Sequence, residues 1–209
     1  METQMKFSIK DKKRIFYVIT AVILMGLSLS FLIRLNFGTD PCSAMNLGIA
    51  RHLHLSFGTW QVLFNIVLFI LVIAFDRSQL GWGTLANMLL VGYSADFFKW
   101  LFNLILPDNA FSSLEIRIII LIPSLFVFIV AAAVYMAVDL GSAPYDAIVF
   151  IIASKLKKIP FRLIRIAWDM TACLIGFLLG STIGVVTVLI AFLLGPVIAW
   201  VKEKINRFL

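Results

Sequence analysis

The residues from Met170 to Val201 form a run of 32 without a charged side chain. About 20 apolar residues suffice for a helix to cross a hydrocarbon core of roughly 30 Å. The run therefore predicts two helices, joined at Gly180-Ser181-Thr182-Ile183-Gly184. Further uncharged stretches cover Ile15–Ile33, Leu55–Phe75, Ser78–Ala95 and Ile118–Val138. Taking Leu163–Asp169 into the first helix of the long run gives six spans, near 15–35, 57–76, 83–104, 116–138, 162–180 and 183–202. Apolar runs of this length satisfy their backbone in a bilayer as helices. The expectation is an all-α polytopic membrane protein, with residues 1–209 as a single membrane domain. Composition agrees: 62% of the 209 residues are hydrophobic and 14% charged, against roughly 45–50% and 25% in ordinary soluble domains. A soluble nuclease, kinase or dehydrogenase would need more polar surface.

The formal charge of +7 sits at the edges of the apolar runs. Lys6, Lys10, Lys12, Lys13 and Arg14 precede the first span. Lys155, Lys157, Lys158, Arg162 and Arg165 cluster at the fifth, and Lys202, Lys204 and Arg207 follow the last. The positive-inside rule places all three clusters, and so both termini, in the cytoplasm. Such clustering is a mark of topology, and no nucleic-acid partner is expected. The first run is too long for a signal-peptide core and lacks an Ala-x-Ala exit, so it reads as a retained helix. Cys42 and Cys173 show no metal-ligand spacing. Neither a metal nor a cofactor is expected.

Two shorter segments are introduced by Gly-x-x-Pro: Gly38-Thr39-Asp40-Pro41 before Cys42–Leu53, and Gly141-Ser142-Ala143-Pro144 before Tyr145–Leu156. Proline suits the first helical turn, where its missing N–H has no partner to lose. Helices of this length are short for a full crossing, and such segments are tolerated where protein covers them or where they line a cavity.

An offset of 103 residues carries Gly38 to Gly141, Pro41 to Pro144, Ala44 to Ala147, Gly81 to Gly184, Thr84 to Thr187 and Gly92 to Gly195 without a gap. This predicts a duplication, with a first repeat over 15–104 and a second over 116–202, each a span, a Pro-led short helix and a two-span hairpin. If the short helices dip and return, six spans cross and the halves are inverted. If they cross, eight spans give parallel halves. Dipping leaves Arg51 outside and crossing exposes Arg77. The central loop, with Asp108 and Glu115 and no base, is comfortable outside and favours dipping.

Ionisable groups at membrane depth are expensive, so they are the first functional suspects. Asp169 lies one helical turn beyond Arg165, a spacing suited to an ion pair. It reads either as half of a structural pair or as a solute or proton site. Asp146 follows Pro144 by two residues and Asp40 precedes Pro41, each at a helix start whose free N–H groups favour a carboxylate. Each reads as a capping acid or as part of a substrate site with Ser43, Ser142 and Tyr145. Arg34, near the outer end of the first span, reads as a rim residue or as a partner for Asp40 across the turn, and Asp96 with Lys99 as a structural pair three residues apart. Asn46, Asn65 and Asn87 read as polar glue between helices. His52 and His54 diverge on a helix and make a poor metal pair.

The units Gly38-Thr39-Asp40-Pro41-Cys42-Ser43-Ala44, Gly81-Trp82-Gly83-Thr84 with Gly92, and Gly141-Ser142-Ala143-Pro144-Tyr145-Asp146-Ala147 with Gly184, Thr187 and Gly195-Pro196 resemble those of the YczE/YitT-type bacterial membrane proteins, closer to the YczE branch. The resemblance covers roughly 15–202 and implies a multi-pass protein of the bacterial plasma (inner) membrane with no agreed substrate. The first copy departs from the second in placing its acid before the proline.

The functional expectation is a small-solute transporter or permease with its site between the Pro-led helices, taking a polar or zwitterionic molecule. The alternatives are a substrate-capture or regulatory subunit of a larger membrane assembly and, with little clustering of acids and histidines to support it, a membrane lipid enzyme. The small size leaves room for a homodimer or partner membrane proteins within the lipid bilayer.

Overall fold

A computed structural model describes residues 9–107 and 109–205. Lys6, Asp108 and Arg207, among the charges weighed above, lie outside the described residues. Eight helices follow one another: α1 (Ile9–Leu35), α2 (Pro41–His52), α3 (Phe57–Phe75), α4 (Trp82–Ile105), α5 (Leu114–Ala137), α6 (Pro144–Lys155), α7 (Phe161–Leu178) and α8 (Val185–Ile205). Five of them, α1, α3, α4, α5 and α8, are long and apolar enough to cross a membrane. The 18 residues of α7 include Arg162, Arg165 and Asp169, a charge density that sets this helix apart.

Local chemistry explains where the helices begin. The side chain of Asp40 accepts from Ser43 N at 3.0 Å and caps α2, whose first residue is Pro41. Ser56 caps α3 through Thr59 N, and Ser113 caps α5 through Ile116 N. Between α3 and α4, Asp76 anchors a short turn. The hydroxyl and backbone N–H of Ser78 hold its carboxyl below the ordinary carboxylate range.

Polarity is inverted relative to a soluble protein. Ser28, Asn46, Gln61, Asn65, Thr84, Asn87 and Thr187 are buried, while Ile119, Phe126, Phe177, Leu178 and Phe192 are exposed. Apolar surface on this scale needs a cover, and lipid supplies it. The chain is thus a polytopic all-α membrane protein.

The helices pack in two groups. In the first, Val22, Leu29 and Leu32 of α1 share a core with Val91 of α4, Phe128 of α5 and Ile190 of α8. In the second, Met45 of α2, Leu68 of α3, Tyr145 of α6 and Ala172 of α7 meet. Directions follow from side-chain contacts. Near the start of α5, Arg117 donates to the carbonyl of Leu35 at the end of α1, so these helices run antiparallel. Arg34 donates to Asn103 at the end of α4, 2.6 Å away, so α1 and α4 run together. Val201 of α8 packs on Ala133 and Ala137 late in α5, so α5 and α8 also run together.

The short helices lie against long ones. Arg51, late in α2, donates to the carbonyl of Gly180 just beyond α7, at 2.8 Å. Lys155, at the end of α6, sits 3.9 Å from the ring centroid of Phe75 at the end of α3. Each short helix therefore runs in the direction of its neighbour. With 12 residues, either extends only about 18 Å.

The turns before the short helices follow one path. Asn36 and Asp139 both have φ near +60°, at 59° and 58°, and Gly38 and Gly141 have φ of 101° and 103°. A side chain at either glycine would be strained by that backbone and blocked as well. A Cβ on Gly38 would stand 2.6 Å from Thr187 Oγ1, and one on Gly141 would stand 2.6 Å from Thr84 Oγ1. Both loops also accept a backbone hydrogen bond from a long helix: Val186 N donates to Phe37 O at 3.2 Å and Gly83 N to Leu140 O at 2.7 Å. The turn before α2 thus docks on the start of α8, and the turn before α6 on the start of α4.

Two expected pairings are replaced. Arg34 turns away from Asp40, bonding Asn103 and lying over the Phe111 ring. Asp96 accepts from Gly58 N at 2.7 Å, and no ion pair joins it to the exposed Lys99 among the described residues. At that point α3 and α4 meet through Gly58 and Gly92, so a backbone N–H comes closer to the carboxylate than the lysine does.

Candidate functional site

The starts of α2 and α6 come together on one cavity of about 290 Å³. Prolines at the first helical positions bring the chain in from the glycine turns and leave the next side chains, Cys42 and Ser43 on α2 and Tyr145 and Asp146 on α6, along the cavity wall. Helix α7 contributes Arg165 and Asp169. Amides come from Gln61 and Asn65 on α3 and Asn87 on α4. Apolar groups from α1, α5 and α8, including Met25, Phe128 and Ile190, complete the wall.

Arg165 is the hub. Its Nη1 lies 2.5 Å from Asp146 Oδ1 and its Nε 2.8 Å from Asp169 Oδ2. Tyr145 donates its hydroxyl to the other oxygen of Asp169 at 2.9 Å, and the Arg165 guanidinium lies 5.7 Å from the Tyr145 ring centroid. The cluster ties α6 to α7 through one guanidinium, two carboxylates and a phenol. Asp40 stands on the same cavity but outside this network. One of its oxygens caps α2, while Oδ1 is buried and has no hydrogen-bond partner. Gln61 is similar: the residue is 6% exposed and its Oε1 is unpartnered.

Five of the six candidate substrate residues, Asp40, Ser43, Tyr145, Asp146 and Asp169, line the cavity. Ser142 does not. It lies in the turn before α6, where its N–H donates to Gln79 O at 2.9 Å. Asp146 does not cap α6, because its carboxylate faces Arg165 and the helix has no side-chain cap. Asn46 belongs to the helix packing, accepting from Trp60 Nε1 at 3.0 Å.

The description "Family of unknown function (DUF6198)" matches residues 12–203 of this chain. The chain belongs to that family. It is similar to an uncharacterized protein of Haemophilus influenzae, 26% identical over 93% of this chain and 86% of the relative. It is also similar to the uncharacterized membrane protein YczE of Bacillus subtilis, 28% identical over 77% of this chain and 72% of the relative. A third relative, the uncharacterized protein YyaS of Bacillus subtilis, is 25% identical over 70% and 71%. No solved structure matches. Membership of DUF6198, with YczE among the relatives, agrees with the family resemblance carried by the Gly-x-x-Pro units.

For this DUF6198 chain, sequence reasoning did not single out Gln61 and assigned Asn65 and Asn87 only to helix packing. The signal was present: an uncharged run from 55 to 75 that retains both Gln61 and Asn65 keeps two amides that lipid cannot satisfy. Their spacing of four residues sets them on one face of α3, which is the cavity face.

Proposed function

We propose that the protein is a small-solute transporter or permease whose site is the cavity between the Pro-led helices α2 and α6. One observation carries the reading. The starts of two helices too short to cross a bilayer share a cavity with Asp40, Asp146, Arg165 and Asp169, charged groups that are costly at membrane depth. Discontinuous helices meeting near the midplane are how repeat-built transporters hold polar solutes away from lipid.

In this reading the halves 15–104 and 116–202 are inverted copies. Supporting it are the antiparallel course of α1 and α5, the matched backbone of 36–38 and 139–141, and the reciprocal docking of each glycine turn on the other half. Helices α1, α3, α4, α5, α7 and α8 cross, α2 and α6 are re-entrant, and both termini are cytoplasmic in a bacterial plasma membrane. Alternating access then amounts to one half rocking against the other around the cavity.

The test is uptake. Purified protein in liposomes, offered small amines, amino acids and carboxylates, accumulates at least one of them above protein-free vesicles, and Arg165→Gln abolishes the signal. Solute binding without uptake by the protein alone would instead identify a capture subunit of a larger assembly.

A further inference from the structure

The unsatisfied groups on the cavity wall are acceptors. Asp40 Oδ1 and Gln61 Oε1 are buried without a partner, one at the start of α2 and the other on α3, and both residues line the cavity. Arg165, by contrast, is committed to Asp146 and Asp169, so the cationic side chain on the cavity is already engaged. Asp40 stands outside that network, so its carboxyl lines the cavity without a cationic partner among the described residues. A buried acceptor left open is costly, and a solute that brings N–H donors and a positive charge relieves it.

The rest of the wall describes the remainder of the solute. Met25, Val91, Phe128, Ile190 and Leu194 are apolar, and about 290 Å³ lies at the small end of ligand pockets, roughly 300–1,000 Å³. From the unpartnered Asp40 and Gln61 oxygens and these apolar walls, we propose that the solute is a small organic ammonium ion with a compact hydrocarbon body. Its N–H groups are held by Asp40 and Gln61 and its body by the α1, α5 and α8 face. The proposal rests on the transporter reading in taking this cavity as the solute site, and it adds the sign of the charge and the need for N–H donors.

The experiment compares four probes of similar shape on the purified protein in lipid nanodiscs by titration calorimetry: 2-phenylethylammonium, its N,N,N-trimethyl analogue, 2-phenylethanol and 3-phenylpropionate. The primary ammonium is expected to bind at least about tenfold more tightly than the alcohol or the carboxylate, as a charge-assisted hydrogen bond to a buried carboxylate warrants. The trimethyl analogue, charged but without donors, should fall between. Asp40→Asn keeps the helix cap and should weaken the ammonium about tenfold or more without improving the alcohol. Gln61→Met keeps side-chain length and should weaken the ammonium severalfold, which supplies a second readout if Asp40→Asn does not fold. Tighter binding of the carboxylate would overturn the cation assignment while leaving a solute site in place. So would ammonium binding unchanged in both variants, or no binding by any probe. The transporter reading itself falls on a different measurement, the failure of the protein alone to take up any solute class.

Discussion

Arg165 reaches Asp146 at 2.5 Å and so ties α7 to the first turn of α6. Its second bond, to Asp169 at 2.8 Å, lies within α7, so the two aspartates play unequal parts. Asp146 joins α6 to the arginine directly, whereas Asp169 steadies the arginine along its own helix and reaches α6 only through the Tyr145 hydroxyl.

Removing the arginine should therefore harm the fold more than removing either acid. Arg165→Gln leaves two carboxylates without a counter-ion, and a stranded buried charge costs about 3–5 kcal/mol. The partial exposure of this side chain, 29%, places the loss at the low end, about 3 kcal/mol. Asp146→Asn and Asp169→Asn each leave Arg165 one partner and should cost less. Thermal unfolding of the three variants in detergent gives the ranking. A cost for Asp169→Asn equal to that for Arg165→Gln would contradict the hub assignment.

Tyr145→Phe isolates the phenol bond. The bond to Asp169 is lost and the ring and both ion pairs remain, so stability should fall by about 0.5–1.5 kcal/mol. Unfolding curves for the single variant, and for its combination with Asp169→Ala, check this. The double variant should cost less than the sum of the two singles, because both remove the same hydrogen bond.

The glycine turns make a separate prediction. Gly38→Ala and Gly141→Ala meet both a left-handed backbone and a blocked Cβ, whereas Gly180, at φ of 75°, has open space around its Cβ position. Gly180→Ala should cost about 1–2 kcal/mol from backbone strain alone, and the other two distinctly more. Equal losses at all three positions in thermal unfolding would remove the close docking of each turn on the other half as the reason for these glycines.

Much of the architecture was legible in the sequence. Because charge is excluded from lipid-facing segments, the spans drawn from the uncharged runs match the long helices to within a few residues, except that α1 begins six residues earlier, at Ile9. Gly-x-x-Pro located the short ones, because proline and a left-handed glycine have narrow conformational uses. Pairings were less legible. Arg34 and Asp40 are close in sequence, but Arg34 continues the α1 axis toward Asn103 while the turn at Gly38 carries Asp40 inward. Asp96 and Lys99 share a helix, yet the approach of α3 at Gly58 offers the carboxylate a nearer donor. The unpaired acceptor on Gln61 follows from how α3 and α4 pack, and local sequence does not encode that packing.

Topology can be read with reporters. A fusion at the C-terminus should report cytoplasm and one in the loop at 109–113 the opposite side, checked with alkaline phosphatase and green fluorescent protein fusions. A cytoplasmic loop would require the short helices to cross.

The cavity between α2 and α6 is most directly tested by its access to water. In a background lacking Cys42 and Cys173, single cysteines replace Ser43, Asn65 and Asn87 on the cavity and Phe177 and Leu178 on the exposed apolar face. A membrane-impermeant thiol reagent, applied to cells and to inverted vesicles, should modify the three cavity positions from at least one side and leave the two apolar-face positions unmodified. Cavity positions as unreactive as Phe177→Cys from both sides would contradict a water-accessible solute site between the short helices.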